Sequence, residues 1–370
     1  MKNRIKNCYI HIPFCNKICS YCDFCKLYYD EKLVNKYLDE LEKEISNIYQ
    51  GEELETIYIG GGTPSALNNK QLERLFKVIE VFNKSNNIEF TIESNFENIT
   101  KDKLLIYKKY GINRLSFGLE SINKSNLSLL NRNITKNKVE DTINMCRELG
   151  FTNINIDLMY ALPTEDIKIL KEDLSYLFSL DVEHISTYSL IIEDHTMLKI
   201  NGVINIPEDL DSEMYELICK EMKNHNYDHY EISNFSKTGY YSKHNLCYWN
   251  NEHYYGFGLG SSSYIDNKRI TNTRSINRYL EGNYVLESIE LSEIEMIEYE
   301  IMLNLRKSEG ILLKDFKDKY QKDLLDIVDI SELINNKLLI VEDNHVKIPE
   351  DKWYISNEII VRMLEGCNYE

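Results

Sequence analysis

Four cysteines crowd near the start of the chain, at Cys15, Cys19, Cys22 and Cys25. Thiolate-rich loops select zinc or iron–sulfur centres. Structural zinc sites usually close with a fourth ligand and keep a two-residue gap in each Cys pair. The Cys15-x3-Cys19-x2-Cys22 spacing instead supplies three ligands to a 4Fe–4S cluster and leaves one iron free. That iron can be chelated by the amino and carboxylate groups of S-adenosylmethionine, whose C–S bond an electron from the cluster can cleave. Cys25 has three readings: a fourth ligand that closes the cluster and makes an electron carrier, a spare thiol, or a redox handle. Five further cysteines are scattered, and the total of nine is odd. One dense cluster in such a set reads as intracellular metal chemistry rather than a secreted disulfide framework.

Other groups suited to the same cofactor recur downstream. Ile59 is followed by Gly60-Gly61-Gly62-Thr63-Pro64. Glycines let backbone groups approach a ligand closely, here the methionyl amino group. Glu93 and Glu120 stand at the ends of apolar runs, Arg132 offers a planar donor fork for a carboxylate, and Asp157 can hold ribose hydroxyls. His11 reads as structural, beside the cysteine loop.

The elements that must position these residues alternate in type. Apolar or β-branched runs at 9–12, 56–59, 88–93, 113–117, 153–158 and 184–190 read as strands. Between them lie helical periods: Leu33, Tyr37, Leu41, Ile45 and Ile48 form one stripe, and Leu72, Leu75, Phe76 and Ile79 another. Six strand–helix units predict a parallel sheet. They fall short of the eight in a closed barrel, so the α/β class expected is an open, partial (β/α)6 barrel, with its chemistry at the C-terminal ends of the strands.

The chain has 370 residues, which suggests two or three domains. The division expected is a core at 1–235, a connecting segment at 236–285 and an acidic module at 286–370. That last part has 20 Asp/Glu against 10 Lys/Arg, within a net charge of −17. A helix marked by Ile294, Ile297, Ile301 and Leu305, and a hairpin around Asp343-Asn344, give it a helix-rich, winged-helix-like outline. So acidic a chain is a poor partner for nucleic acid. No apolar run approaches the ~18 residues that span a bilayer. The basic start, Lys2, Arg4 and Lys6, precedes an apolar run broken by His11 and Pro13, without a small-residue cleavage site. The expected location is the cytoplasm.

Taken together, Tyr9-Ile-His-Ile-Pro-Phe-Cys15, Cys19-Ser-Tyr-Cys22-Asp-Phe, Gly60-Gly-Gly-Thr-Pro-Ser, Leu115-Ser-Phe-Gly-Leu-Glu and Asp157-Leu-Met-Tyr-Ala-Leu-Pro resemble the radical SAM proteins related to oxygen-independent coproporphyrinogen III oxidase. The segments His229-Tyr-Glu-Ile-Ser-Asn-Phe and His244-Asn-Leu-Cys-Tyr248-Trp249 are similar to the HemW-type haem chaperones of that superfamily. The resemblance implies a 4Fe–4S cluster on Cys15, Cys19 and Cys22, and S-adenosylmethionine contacted by Tyr9, Gly61, Gly62, Thr63, Glu93, Arg132 and Asp157. Glu120 stands where relatives usually carry Gln. It also implies haem binding through His244, Tyr248 and Trp249, transfer to an apo-haemoprotein, an electron donor to the cluster, and a possible homodimer. Histidine is the commonest haem ligand, so a loop with His244 and neighbouring rings can offer both iron ligand and walls. The same residues also suit an aromatic core with a hydrogen-bonded histidine. Phe24 occupies the place of a further cysteine in the oxidases, and Ser262 that of a histidine common in relatives. These departures weigh against the alternative reading, decarboxylation of coproporphyrinogen III, more than against a haem chaperone.

Overall fold

The computed structural model describes residues 4–367, so Lys2 of the basic start lies outside it. All six expected strands form and pair in parallel: β1 (Asn7–Ile12), β2 (Glu53–Gly61), β3 (Asn83–Asn95), β4 (Arg114–Glu120), β5 (Ile154–Tyr160) and β6 (His184–Ser189). Most of their apolar residues are buried, on both faces, as a sheet covered by helices requires. Helix Glu31–Ile48 starts where the Asp30 side chain accepts from the Leu33 amide at 2.8 Å, and it buries Val34, Tyr37, Leu38, Leu41 and Ile45. Helix Asn69–Ile79 begins with a reciprocal Asn68/Gln71 capping box and buries Leu72, Leu75, Phe76 and Ile79, the stripe read from the sequence.

Beyond residue 184 the sheet grows at both ends. Strands β7 (Asp228–Glu231) and β8 (Asn234–Ser236) extend it past β6. On the other side β9 (Tyr254–Phe257) pairs in parallel with β1, and β10 (Ser262–Ile265), β11 (Lys268–Asn272) and β12 (Val285–Glu290) follow antiparallel. The resulting sheet has 12 strands among the described residues, in the order β12-β11-β10-β9-β1-β2-β3-β4-β5-β6-β8-β7. Residues 236–285, expected as a connection, therefore supply strands beside β1. The sheet stays open, as the unit count required.

Residue 286 falls inside β12, and the C-terminal module begins with helix Glu293–Asn304. Its hairpin, β14 (Ile340–Glu342) and β15 (His345–Lys347), turns through Asp343 (φ 49°) and Asn344 (φ 64°), left-handed positions that Asp and Asn tolerate. The short strand β13 (Ile311–Leu312) adds a third member, in the order β13-β15-β14. One apolar core runs from Ile5 to Met363 and joins this module to the sheet.

Candidate functional site

The cysteine loop is tied at its base. After β1 the chain forms Phe14–Cys15, which pairs in parallel with Leu27–Tyr28, and the Leu27 and Tyr29 amides donate to the carbonyls of Pro13 (2.6 Å) and Cys15 (2.9 Å). Further out, the Ser20 amide donates to the Leu130 carbonyl at 3.1 Å. Residues 16–26 are thus held over the C-terminal ends of the parallel strands.

Beneath them lies a cavity of about 440 Å³, lined by all three expected ligands, Cys15, Cys19 and Cys22. It is also lined by Gly61, Gly62, Thr63, Glu93, Glu120, Arg132 and Asp157. One expected contact is absent from this wall: Tyr9 borders a second cavity on the other side of the loop. Burial pushes the Cys15 thiol up to about 11, against the Thr63 hydroxyl that donates to it at 3.4 Å. Burial also raises Cys19 and Cys22, opposed by Arg132 and Lys26 respectively. A cationic cluster offsets that cost of forming thiolates.

The glycines at and just after the end of β2 are set by what lies against them. A Cβ on Gly60 would stand 2.9 Å from the Glu93 carboxylate; one on Gly62 would stand 2.9 Å from the Cys15 sulfur and 2.7 Å from the Pro13 backbone. Gly61, at φ 116°, passes the His11 ring, and its amide donates to Glu93 at 3.0 Å. Burial raises the Glu93 carboxyl, whereas bonds from the Tyr58 hydroxyl (2.8 Å) and the Gly61 amide pull it down.

Glu120 ends β4 at a bulge with φ 63°, an uncommon backbone for a residue with a long side chain. One of its carboxylate oxygens accepts from the Tyr21 hydroxyl at 2.7 Å; the other is 3.5 Å from the Arg132 guanidinium. Burial works against charge on Arg132, but Glu120 and Glu97 outweigh it and hold its pKa above the ordinary value. Asp157 is half-buried and its carboxyl is raised to about 7, by desolvation first and then by the charges of Glu120 and Glu93.

Two buried guanidinium nitrogens at this cavity, Arg132 Nε and Arg114 Nε, have no hydrogen-bond partner, and Glu120 Oε2 has only its ion pair with Arg132. Unpaired buried groups are costly, so they mark donors and acceptors waiting for a polar ligand. With the close backbone approach at Gly62, they fit a zwitterionic nucleoside beside a thiolate-held cluster. Among the described residues no three His, Cys, Asp or Glu converge to hold a single metal ion. The three cysteines instead border an open space.

Sequence reasoning missed Arg114, Ser116, Asn155 and Ser186, which also line this cavity. The signal was available: within apolar strands these polar residues recur two apart (114 and 116, 155 and 157, 184 and 186) and so share one face.

The segment expected to bind haem is helical, not a loop: Lys243–Trp249, capped by Ser242. Four-residue spacing puts His244 and Tyr248 on one helix face. His244 is buried, its ring stacked on Tyr58 at 5.0 Å. Its nitrogens meet the Thr56 hydroxyl and the Tyr248 hydroxyl, each at 2.8 Å. Thr56 gives its proton to Asn7 at 2.9 Å, so it accepts from His244 Nδ1–H, and Nε2 accepts from Tyr248. Burial lowers His244 to about 3, so the ring is neutral. Tyr248 reaches the second cavity, Trp249 lies under Arg306, and His244 borders neither cavity. His11 has the structural role expected: Nε2 meets the Cys25 carbonyl at 2.7 Å and Nδ1 the Tyr9 hydroxyl at 3.0 Å.

A model of the Radical SAM superfamily matches residues 9–177, and a model of the HemN C-terminal domain matches residues 291–352. The chain is similar to the heme chaperone HemW of Lactococcus lactis, 36% identical with 100% of both chains covered. It is 40% identical to the heme chaperone HemW of Bacillus subtilis, over 86% of this chain and 88% of that one. Among solved structures, coproporphyrinogen III oxidase (HemN) from Escherichia coli shares the fold, with a TM-score of 0.86 over 97% of this chain and 90% of the other at 22% identity.

Proposed function

The chain belongs to the HemW family of haem chaperones, within the radical SAM superfamily, and on that premise we propose that it binds haem and delivers it to apo-haemoproteins. The superfamily implies a 4Fe–4S cluster and S-adenosylmethionine. Cys15, Cys19 and Cys22 would hold the cluster, which supplies an electron to the sulfonium bond when reduced. Arg132 would face the methionyl carboxylate, Gly61, Gly62 and Thr63 would admit the cofactor close to Cys15, and Glu93, Glu120 and Asp157 would meet its amino and hydroxyl groups. Haem would bind against the helix that carries His244, Tyr248 and Trp249.

The observation that carries this reading is the single cavity shared by the three cysteines and seven of the eight residues assigned to S-adenosylmethionine. No helix among the described residues is long and apolar enough to cross a membrane. An oxygen-sensitive cluster suits the reducing cytoplasm, where an electron donor and the receiving apo-haemoprotein would be met.

The test is anaerobic reconstitution, with iron and sulfide counts, EPR of the reduced cluster with and without S-adenosylmethionine, and titration with haem. A 4Fe–4S complement, a cluster spectrum altered by S-adenosylmethionine and stoichiometric haem binding are the expected results. Zinc at the cysteines, or a cluster indifferent to S-adenosylmethionine, would overturn the reading. Consumption of coproporphyrinogen III would move it to the oxidase alternative.

A further inference from the structure

On the far side of the cysteine loop lies a second cavity, of about 400 Å³, walled by the rings of Tyr9, Phe24, Tyr248 and Tyr254. Asp23 and Phe24 border both cavities, so the loop is their partition. Cys25 lines this second cavity and not the first. Its position is built in: a Cβ on Gly260, at φ 72°, would stand 2.6 Å from the Cys25 Cβ and 3.1 Å from its sulfur. Arg274 sits at the mouth, exposed, donating to the Asp23 carbonyl and toward the Cys25 thiol.

These features match a planar, apolar macrocycle with an electron-poor iron and acidic edges. Aromatic faces suit the ring, the volume is that of a small-molecule site, and thiolate is an established haem ligand. The histidines nearby are spoken for, since both nitrogens of His11 and both of His244 are hydrogen-bonded. Cys25 is the soft donor left facing the space.

We propose that this second cavity is the haem seat and that Cys25 supplies the iron ligand there. The inference rests on the haem-binding reading above and deepens it. On binding, the Cys25 S–H bond breaks, its proton passes to solvent, and the sulfur lone pair forms the bond to ferric iron without a change of oxidation state. Arg274 stabilises the thiolate and faces the propionates at the mouth. His244 is a positioning residue: by accepting the Tyr248 proton it fixes that ring as a wall. The exposed rim of Phe24 and Arg274 leaves haem accessible for transfer.

The experiment is anaerobic haem titration of the reconstituted full chain and of Cys25→Ser and Arg274→Glu, followed by optical and EPR spectra. Wild type should show thiolate ligation, including the red-shifted Soret band of its ferrous carbonyl adduct. Cys25→Ser should lose that signature and bind haem at least about tenfold more weakly, with its iron–sulfur content intact. Arg274→Glu, at an exposed position, should keep the signature and weaken binding about tenfold. A Cys25→Ser spectrum and affinity equal to wild type would overturn the proposal while leaving haem binding standing. So would loss of the cluster in Cys25→Ser, which would put that sulfur on the cluster. Absence of haem binding by wild type would instead sink the reading on which the proposal rests.

Discussion

Two cavities share one loop, and they differ in the density of charge around them. The first is rich in charge: three cysteines, the carboxylates of Glu93, Glu120 and Asp157 and two arginines stand around a space with unsatisfied polar atoms. The second is walled by the rings of Tyr9, Phe24, Tyr248 and Tyr254 together with the hydroxyls of Ser261, Ser262 and Thr271, with Asp23 and Arg274 as its charged groups. On the proposed reading, the first would hold a charged cofactor and the second a cargo that is passed on. A partition of two residues, Asp23 and Phe24, teaches that one short segment can serve both roles.

The largest effect should come from Cys15→Ala. Iron and sulfide should fall to background and the response to S-adenosylmethionine should vanish. Haem should keep its ligation, because the base of the loop is tied by backbone bonds that need no cluster. If haem ligation disappears along with the iron, the two cavities are not separable. The comparison would then break.

A middle-sized effect concerns Asp157, whose carboxyl is raised from 3.8 to about 7. The cofactor-free folded state holds this proton where the unfolded chain has lost it. Stability on this account is fullest below about pH 4, falls as pH rises to about 7, and stays reduced above that. Asp157→Asn should flatten this slope and stabilise the cofactor-free protein at pH 8 by up to about 4 kcal/mol. Urea melts across pH check it; an unchanged slope would mean that Asp157 is ionised in the folded protein. The haem spectrum should not change.

The smallest effect should be that of Tyr248→Phe, which removes one hydrogen bond to His244 and keeps the ring. Haem affinity should drop about fivefold, the scale of about 1 kcal/mol, with the spectral type retained. A change of spectral type would make Tyr248 an iron ligand and sharpen the second cavity's chemistry in a different direction.

The six parallel strands were legible because β-branched runs separated by helical stripes admit few other arrangements. The cluster cysteines, Gly61–Thr63, Glu93, Glu120 and Asp157 were legible from residue type in or just after strands, and Arg132 from its guanidinium in the segment beyond the fourth strand, and they do meet in one space. Strands β9 to β12 were not, because they are short and rich in Tyr, Ser, Asn and charge; β12 is exposed along its whole length. The second cavity was equally hidden. Tyr9, Cys25, Tyr248 and Arg274 come from four distant places, and only the pairing of β9 with β1 brings them together. Arg114 escaped because a single arginine in an apolar strand is read as a surface residue, whereas it is almost completely buried.

A sheet that never joins its own ends has two rims to protect from edge-to-edge pairing. One is sheathed: Glu231 bridges to Lys307, and the Ile232 and Ser308 amides bond across the same seam to Arg306 and Tyr230, so the acidic module doubles as a cover. The other, β12, has no such sleeve among the described residues. It presents Glu287 and Glu290 between Val285, Leu286 and Ile289, and a second copy docking strand to strand would bring its own glutamates against them. Like charge on this exposed margin opposes edge-to-edge pairing of two copies.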